Sequence, residues 1–292
     1  MFKSKRFKHF ITDPSAVIGA FLIFLFVFLA FFAPVIAPQN PYNLEKLDLG
    51  MSMKPPVWRE GGEMPFIFGT DDQGRGILST IIFGCRTSLM VGFGVILLAG
   101  SFGVLIGLLA GYYKGILDAV TMRLADIFFS FSTTLMAILM LGVVGTRSIL
   151  VVIVAISLPD WVRYARVIRG NVMSASEEDY VAAAKSIGSS DARIIFRHIF
   201  PNSIHSLFVV AAVDLAVVIM LEATLSFLGV GVPLTRPSLG MMIANGKRFI
   251  YAGYWWMIVF PGAALVGMVV GVNLLADWMR EELNPKLQRG EK

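Results

Sequence analysis

With 56% hydrophobic residues, 15% charged residues and a mean hydropathy of +0.73, this 292-residue chain is too apolar for a water-soluble domain, in which about a quarter of residues carry charge. Its net charge of +5 calls for no nucleic acid, because basic loops on one side of a bilayer account for it. The single cysteine, Cys85, excludes an intrachain disulfide and a cysteine-based metal cluster.

The first segment, residues 1–15, carries Lys3, Lys5, Arg6 and Lys8 against Asp13. The run that follows, Pro14 to Gln39, is uncharged and longer than the apolar core of a signal peptide. It predicts a retained first helix within residues 16–37, roughly Ala16–Ile36, with the N-terminus in the cytoplasm. Residues 38–86 form a loop of balanced charge on the other side, punctuated by Pro55-Pro56 and Gly61-Gly62. Thr70-Asp71-Asp72-Gln73 has the pattern of a capping box, predicting a short helix through Ile77 and Ile81.

The remaining spans form a five-helix core over 87–277. Span two falls in the uncharged run Thr87–Tyr113, where Gly103-x-x-x-Gly107-x-x-x-Gly111 puts three glycines on one face for close contact with a neighbour the spacing does not identify. Span three is expected over Ile127–Thr146, behind Arg123 and Asp126. Span four starts at Ser148 and continues through Asp160 and Trp161. Arg163, Arg166 and Arg169 read as a positive-inside anchor at its cytoplasmic end.

Residues 174–202 are the longest well-charged stretch between two apolar regions, and they predict a bent helix pair. Ser176 and Asp179 have capping-box spacing, and Val181, Ala184 and Ile187 follow at helical spacing. Gly188 suits a left-handed residue that ends the first helix. Ser189 or Ser190 caps the second, which carries Ile194, Ile195 and His198 before Pro201 ends or kinks it.

Span five is expected from His205 to Phe227, with two acids, Asp214 and Glu222. Eight residues of helix rotate by about 80°, so both can face one broad side. Each reads either as lining of a translocation path or as a structural hydrogen-bonded acid. Pro233, Arg236 and Pro237 mark a loop on the outer side. Span six lies in Tyr254–Ala276, with Trp255 and Trp256 suited to the membrane interface, and residues 278–292 form a cytoplasmic tail. Basic residues concentrate in the segments assigned to the inside. Catalytic motifs are absent: Gly240 to Gly246-Lys247-Arg248 misses phosphate-loop spacing, and His9, His198 and His205 lack partners at metal-ligand spacing.

Ala182-Ala183-Ala184, then Gly188, then His198-Ile199-Phe200-Pro201 resembles the EAA loop of bacterial ABC importer permeases, with Ala182 where Glu is frequent and Phe200 where Leu is usual. Pro55-Pro56-Val57-Trp58-Arg59-Glu60-Gly61-Gly62 and Gly69-Thr70-Asp71-Asp72-Gln73-Gly74-Arg75 look like the second permease subunit of dipeptide and oligopeptide importers. In that branch an acid often follows Gly-Arg, where this chain has Gly76. Glu222-Ala-Thr-Leu-Ser-Phe-Leu-Gly229, Arg236-Pro-Ser-Leu-Gly240 and the terminal Asn273 to Pro285 are similar to further family patterns. Leu239, Ala276, Glu281 and Asn284 are departures, and Asp214 lies outside the pattern.

The resemblance implies an all-α, six-span membrane protein with the MetI-like importer fold, in the bacterial inner membrane with both termini cytoplasmic. It further implies a homologous second permease, two cytoplasmic ATPases holding ATP and Mg, and a periplasmic or lipid-anchored substrate-binding protein. This chain would bind no cofactor, metal or nucleic acid and catalyse no reaction. Tyr180, Ala183, Ala184, Gly188, Ile195, His198 and Pro201 would form the ATPase docking site. The substrate would be a dipeptide or oligopeptide, with nickel, glutathione or another peptide-like ligand as alternatives. A different class, an ion-coupled secondary transporter with Asp214 and Glu222 as relay, is the remaining alternative.

Overall fold

The computed structural model describes residues 10–43, 47–233 and 235–283. Helix α1 (Pro14–Phe31) starts where Asp13 Oδ1 accepts the backbone N–H groups of Ser15 (2.9 Å) and Ala16 (3.4 Å). A separate turn over Ala33–Ile36 completes the predicted first span.

Helix α2 (Ile77–Tyr113) is longer than its uncharged run and passes through Arg86, which is exposed. The capping box expected at Thr70 does not form, and no helix starts there. Asp71 spends its carboxylate on a turn instead: Oδ1 accepts Gln73 N–H and Arg75 N–H, both at 2.9 Å, and Oδ2 accepts Arg75 Nε at 2.7 Å. Thr70 pairs across that turn with Gly76, which precedes the helix. Burial, followed by the neighbouring Asp71 charge, pushes the Asp72 carboxyl above the usual carboxylate range, against the pull of Arg75 and Arg248.

The third span is broken. Helix α3 (Gly115–Ser130) and helix α4 (Thr133–Val144) meet at 88°. Phe131 is extended at the corner, and Ser130 Oγ takes the carbonyl of Ile127 at 2.7 Å, competing with the helical ladder. Helix α5 (Ile149–Ala175) follows, then helix α6 (Asp179–Ser186) and helix α7 (Asp191–Phe227). Helix α8 (Leu239–Lys247) fills the loop after α7, where the sequence shows only turn residues, and helix α9 (Trp256–Leu283) ends the described chain.

Helices α1, α2, α7 and α9 are long and apolar enough to cross a membrane, and the bent α3–α4 pair adds a fifth candidate. The remaining expected span corresponds to α5, whose centre carries Asp160, Arg163 and Arg166. Trp256 is buried within the protein, and its indole N–H donates to the Thr70 carbonyl at 3.3 Å, tying α9 to the turn before α2.

The centre of the fold is the α2–α5 seam. A Cβ on Gly103 would lie 2.3 Å from Trp161 O, one on Gly107 2.5 Å from Ala165 O, and one on Gly111 2.9 Å from Arg169 O. The glycine face therefore serves helix contact within the chain. Val91, Val95 and Ala99 of α2 meet Val152, Ile156 and Tyr164 of α5 along the same seam. A second cluster, with Leu89, Leu215, Ile219, Leu239, Met257 and Met268, joins α2, α7, α8 and α9.

Overpacking this seam has no easy relief, because the obstructing atoms are backbone. Gly107→Val is expected to destabilise the purified subunit by about 3 kcal/mol. Gly142→Val, at a site where a Cβ meets nothing within 4 Å, should change stability little. Thermal unfolding in detergent reads the difference, and equal melting of the two variants would contradict the backbone-contact account.

Candidate functional site

The segment 174–202 forms two helical pieces joined at a glycine. Gly188 is left-handed at φ +76°; its N–H donates to Lys185 O (3.0 Å), and Ser189 N–H donates to Ala184 O (3.1 Å). These bonds close α6. The predicted serine caps are not made. Ser176 Oγ donates to Val172 O at 2.6 Å and finishes α5, while Glu178 and Ser190 occupy the N-cap positions without side-chain cap bonds.

The segment packs under the α2–α5 seam through Val181, Ala184, Ile194, Ile195 and Ile199, against Leu108, Ile168 and Val172. Polar contacts fasten its rim. Tyr112 donates to Asp191 at 2.7 Å, Lys114 pairs with Glu177 at 3.3 Å, and the Lys185 ammonium sits 5.3 Å from the Tyr112 ring centroid. Of the residues expected to dock a partner, Tyr180, Ala183, Gly188 and Pro201 are exposed and His198 is half-buried. Ala184 and Ile195 are core. Two exposed apolar side chains lie outside the expected docking set: Ile187, 82% exposed, and Phe196, 58% exposed. Helical spacing had placed Ile187 with Val181 and Ala184, but it lies past the last turn of α6 and points away from them.

The second helical piece has no boundary with span five. Pro201 does not end it, because the preceding turn widens to a π-helix over Ile194–Ile199 and Phe200 N–H reaches back to Ile195 O. Such a turn gives the proline ring the room that α-helical geometry denies it. Helix α7 is therefore one rod of 37 residues, about 55 Å long.

The three arginines of α5 are ion-paired between helices, which the anchor reading had not foreseen. Arg169 makes a two-pronged pair with Asp118 of α3, its Nη2 2.6 Å from Oδ2. Arg166 reaches Asp126 of α3 at 2.7 Å and lies 4.5 Å from the Phe129 ring centroid. Arg163 pairs with Asp214 of α7 and stands 3.7 Å from Asp160. Asp214 is fully buried and also accepts the Tyr164 hydroxyl at 2.7 Å.

Glu222 sits two turns beyond Asp214, also fully buried. Its Oε2 accepts Ser88 Oγ of α2 at 2.6 Å. Its Oε1 accepts Ser226 Oγ at 2.7 Å and Ser238 Oγ, the residue before α8, at 2.8 Å. One carboxylate thus holds α2, α7 and the start of α8. The close approach of α8 depends on Gly240, where a Cβ would lie 2.0 Å from Ala223 O. Neither Asp214 nor Glu222 is left without hydrogen-bond donors. The serines that meet Glu222 are distant in sequence, apart from Ser226 one turn on, so only its membrane-depth position gave a signal.

Glu222→Leu strands three buried hydroxyls and is expected to cost about 3 kcal/mol or more, whereas Glu222→Gln keeps an acceptor and should cost about 1 kcal/mol. Detergent melting and the yield of membrane-inserted subunit measure this. Equal stability of both variants with the natural chain would show that the carboxylate clamps nothing.

Comparisons with known proteins agree with this architecture. Residues 103–289 match the family described as binding-protein-dependent transport system inner membrane component, and residues 4–56 match the N-terminal transmembrane domain of oligopeptide transport permease C. The dipeptide transport system permease protein DppC of Haemophilus influenzae is 34% identical over 96% of this chain and 94% of its own. The oligopeptide transport system permease protein OppC of Bacillus subtilis is 32% identical over 96% of this chain and 88% of its own. Among solved structures, a chain of the MetNI methionine ABC transporter in inward-facing conformations has a TM-score of 0.55 at 19% identity, covering 70% of this chain and 96% of that one. That likeness concerns the fold. The full-length sequence match, the apolar helices and the exposed helix–glycine–helix segment converge: the chain belongs to the binding-protein-dependent transport system inner membrane component family, as the membrane permease subunit of an ABC importer.

Proposed function

We propose that this subunit imports dipeptides or oligopeptides, forming half of a translocation path with a homologous second permease. The relatives named as dipeptide and oligopeptide permeases match it over nearly the whole chain, which supports that substrate class. Two ATPase subunits, which hold ATP and Mg, dock on the 174–202 segment, and a substrate-binding protein delivers the peptide from the opposite side. The chain itself performs no covalent chemistry.

The observation that carries the mechanism is the unbroken course of α7. Its first turns belong to the docking segment, and its far end carries the Glu222 clamp on α2 and α8. Closure of the ATPase pair pushes the exposed face around Tyr180, Ile187, Phe196 and Pro201. Because α7 is continuous, that push moves packed helices as a body and favours a two-state switch over graded bending. An ion relay through Asp214 and Glu222 gains nothing from the geometry, since both carboxylates are engaged by fixed donors.

Orientation follows from the charge bias, with both termini and 174–202 cytoplasmic and residues 38–86 and 230–253 periplasmic. In a Cys85→Ser background, Lys54→Cys should react with a membrane-impermeant maleimide on intact spheroplasts and Lys185→Cys should not. The reverse pattern would invert the topology and remove the docking assignment.

Gly188 tests the docking segment. A Cβ there meets nothing within 4 Å, so a substitution is penalised only through the left-handed backbone. Gly188→Val is expected to strain the site by about 1–3 kcal/mol, and Gly188→Asn by less, because Asn enters this region more readily. Both variants should insert in the membrane. With Val, co-purification with the ATPases and ATP-dependent peptide uptake should fall, and with Asn they should fall less. Unchanged uptake and ATPase stimulation in both would reject Gly188 as a required joint.

A further inference from the structure

The contact between α5 and α7 holds more acid than its arginine can balance. Asp160 of α5 is buried, with 5% of its surface exposed, and its carboxyl group stands within hydrogen-bonding reach of that of Asp214, which is fully buried. Arg163 is bonded to Asp214 and lies 3.7 Å from Asp160 Oδ1, too far for a hydrogen bond. The Tyr164 hydroxyl also goes to Asp214.

Asp160 is thereby left without a donor. Its Oδ2 is buried and accepts no hydrogen bond among the described residues. Ser157, one turn earlier on α5, is buried and its Oγ is equally unpartnered, so it does not reach Asp160. Glu222 makes the contrast, with three hydroxyls donating to its two oxygens. No further charge on the neighbouring helices serves the pair. Between Arg86 and Tyr112, α2 has no titratable side chain, α4 has none, α9 has none between Tyr254 and Asp277, and Asp214 stands alone on α7 between His205 and Glu222. On α3, Arg123 is exposed, and Asp118 and Asp126 are taken by Arg169 and Arg166. Lys247 of α8 lies over the Phe227 ring, at the far end of α7.

Two touching carboxylates repel, and a buried carboxylate without donors loses its hydration for nothing in return. One proton removes both costs. Asp160 becomes a donor to Asp214, and a single carboxylate then faces a single guanidinium. We infer that Asp160 and Asp214 form a proton-binding site, in which one proton held between the two carboxyl groups closes α5 on α7. The proton belongs to the pair and not to either residue alone. Its loss sets two carboxylates against each other across the helix contact, so that contact is sensitive to pH. The site is independent of what the importer carries.

Infrared spectroscopy of the assembled transporter, purified at neutral pH in a detergent without ester groups, reads the proton directly. Subtracting the spectrum of a complex with Asp160→Asn from that of the natural complex should leave the C=O stretch of a protonated carboxyl group, shifted on exchange into deuterium oxide. A carboxylate band in its place overturns the site. Asp214→Asn gives a second reading, and it decides alone where Asp160→Asn does not assemble. It leaves Asp160 as the acid beside Arg163, which expels the proton, so the same protonated band should appear in the natural-minus-variant difference. Its absence there overturns the site as well.

Thermal melting of the same complexes gives the linkage. A proton that the fold holds and the unfolded chain releases makes stability fall as pH rises. Asp160→Asn keeps a donor toward Asp214 and has no proton to lose. Above about pH 5, its folding equilibrium constant should gain on the natural one by about tenfold per pH unit, until the folded pair ionises. A variant that melts below the natural complex by one margin at every pH marks an ionised, arginine-paired Asp160 and overturns the site. Exchanging choline for sodium separates the proton from a metal cation. A sodium-dependent rise in melting that the natural complex shows and Asp160→Asn lacks assigns the charge balance to the metal ion and overturns the proton.

Discussion

Backbone contact between α2 and α5 is the constraint on which the remaining structure depends. Three glycines at one-turn intervals bring α2 against the carbonyls of Trp161, Ala165 and Arg169. In a membrane, helices gain little from excluding apolar surface from water, so close van der Waals approach has to supply the adhesion. Once α2 and α5 are locked, the other sides of α5 are free to hold their neighbours by charge. Arg169 and Arg166 fix α3, and Arg163 fixes α7. The base of the same seam, with Leu108, Ile168 and Val172, is the surface against which the 174–202 segment packs.

The unbroken course of α7 depends on how Pro201 is accommodated. A proline in an α-helix removes one hydrogen bond and crowds the preceding turn, which is the usual reason for a kink or an end. Here a π turn over Ile194–Ile199 takes up the misfit, and the helix continues to Phe227. Residues 191–202 and the Glu222 clamp therefore lie on one continuous helix. Glu222 in turn holds Ser238 at the start of α8, whose Gly246 packs against Met257 of α9. The 191–202 end of α7 is thereby linked to α8 and α9 through hydrogen bonds, backbone contacts and the apolar cluster around Leu215 and Ile219.

The buried acids and the half-exposed arginine divide the labour of charge inside the bundle. Glu222 is surrounded by hydroxyls and holds helices together; Asp214 is matched by Arg163 and Tyr164. Both would be expensive at this depth without such donors. Burial with full hydrogen bonding marks these carboxylates as scaffold.

Local chemistry made part of this legible in the sequence. Apolar runs longer than a bilayer marked α1, α2, α7 and α9, and the positive φ of Gly188 followed from a helix that had to stop before a polar segment. The glycine face of α2 was readable from its four-residue spacing. Charge along the chain was a poorer guide. The α5 arginines read as an anchor because a run of like charges at a helix end is usually solvated, and their partners Asp118, Asp126 and Asp214 come from α3 and α7. The capping pattern at Thr70 failed because Asp71 found Arg75 within its own turn, and the Pro201 break failed because a π turn over Ile194–Ile199 makes room for the proline ring. What the sequence by itself determined were the properties set by neighbours a few residues apart: apolar length, helical face and the stop at Gly188. The partners of Arg163 and Glu222 were decided only by tertiary structure, because an ion pair or a hydroxyl clamp exists only once distant helices are brought within hydrogen-bonding reach.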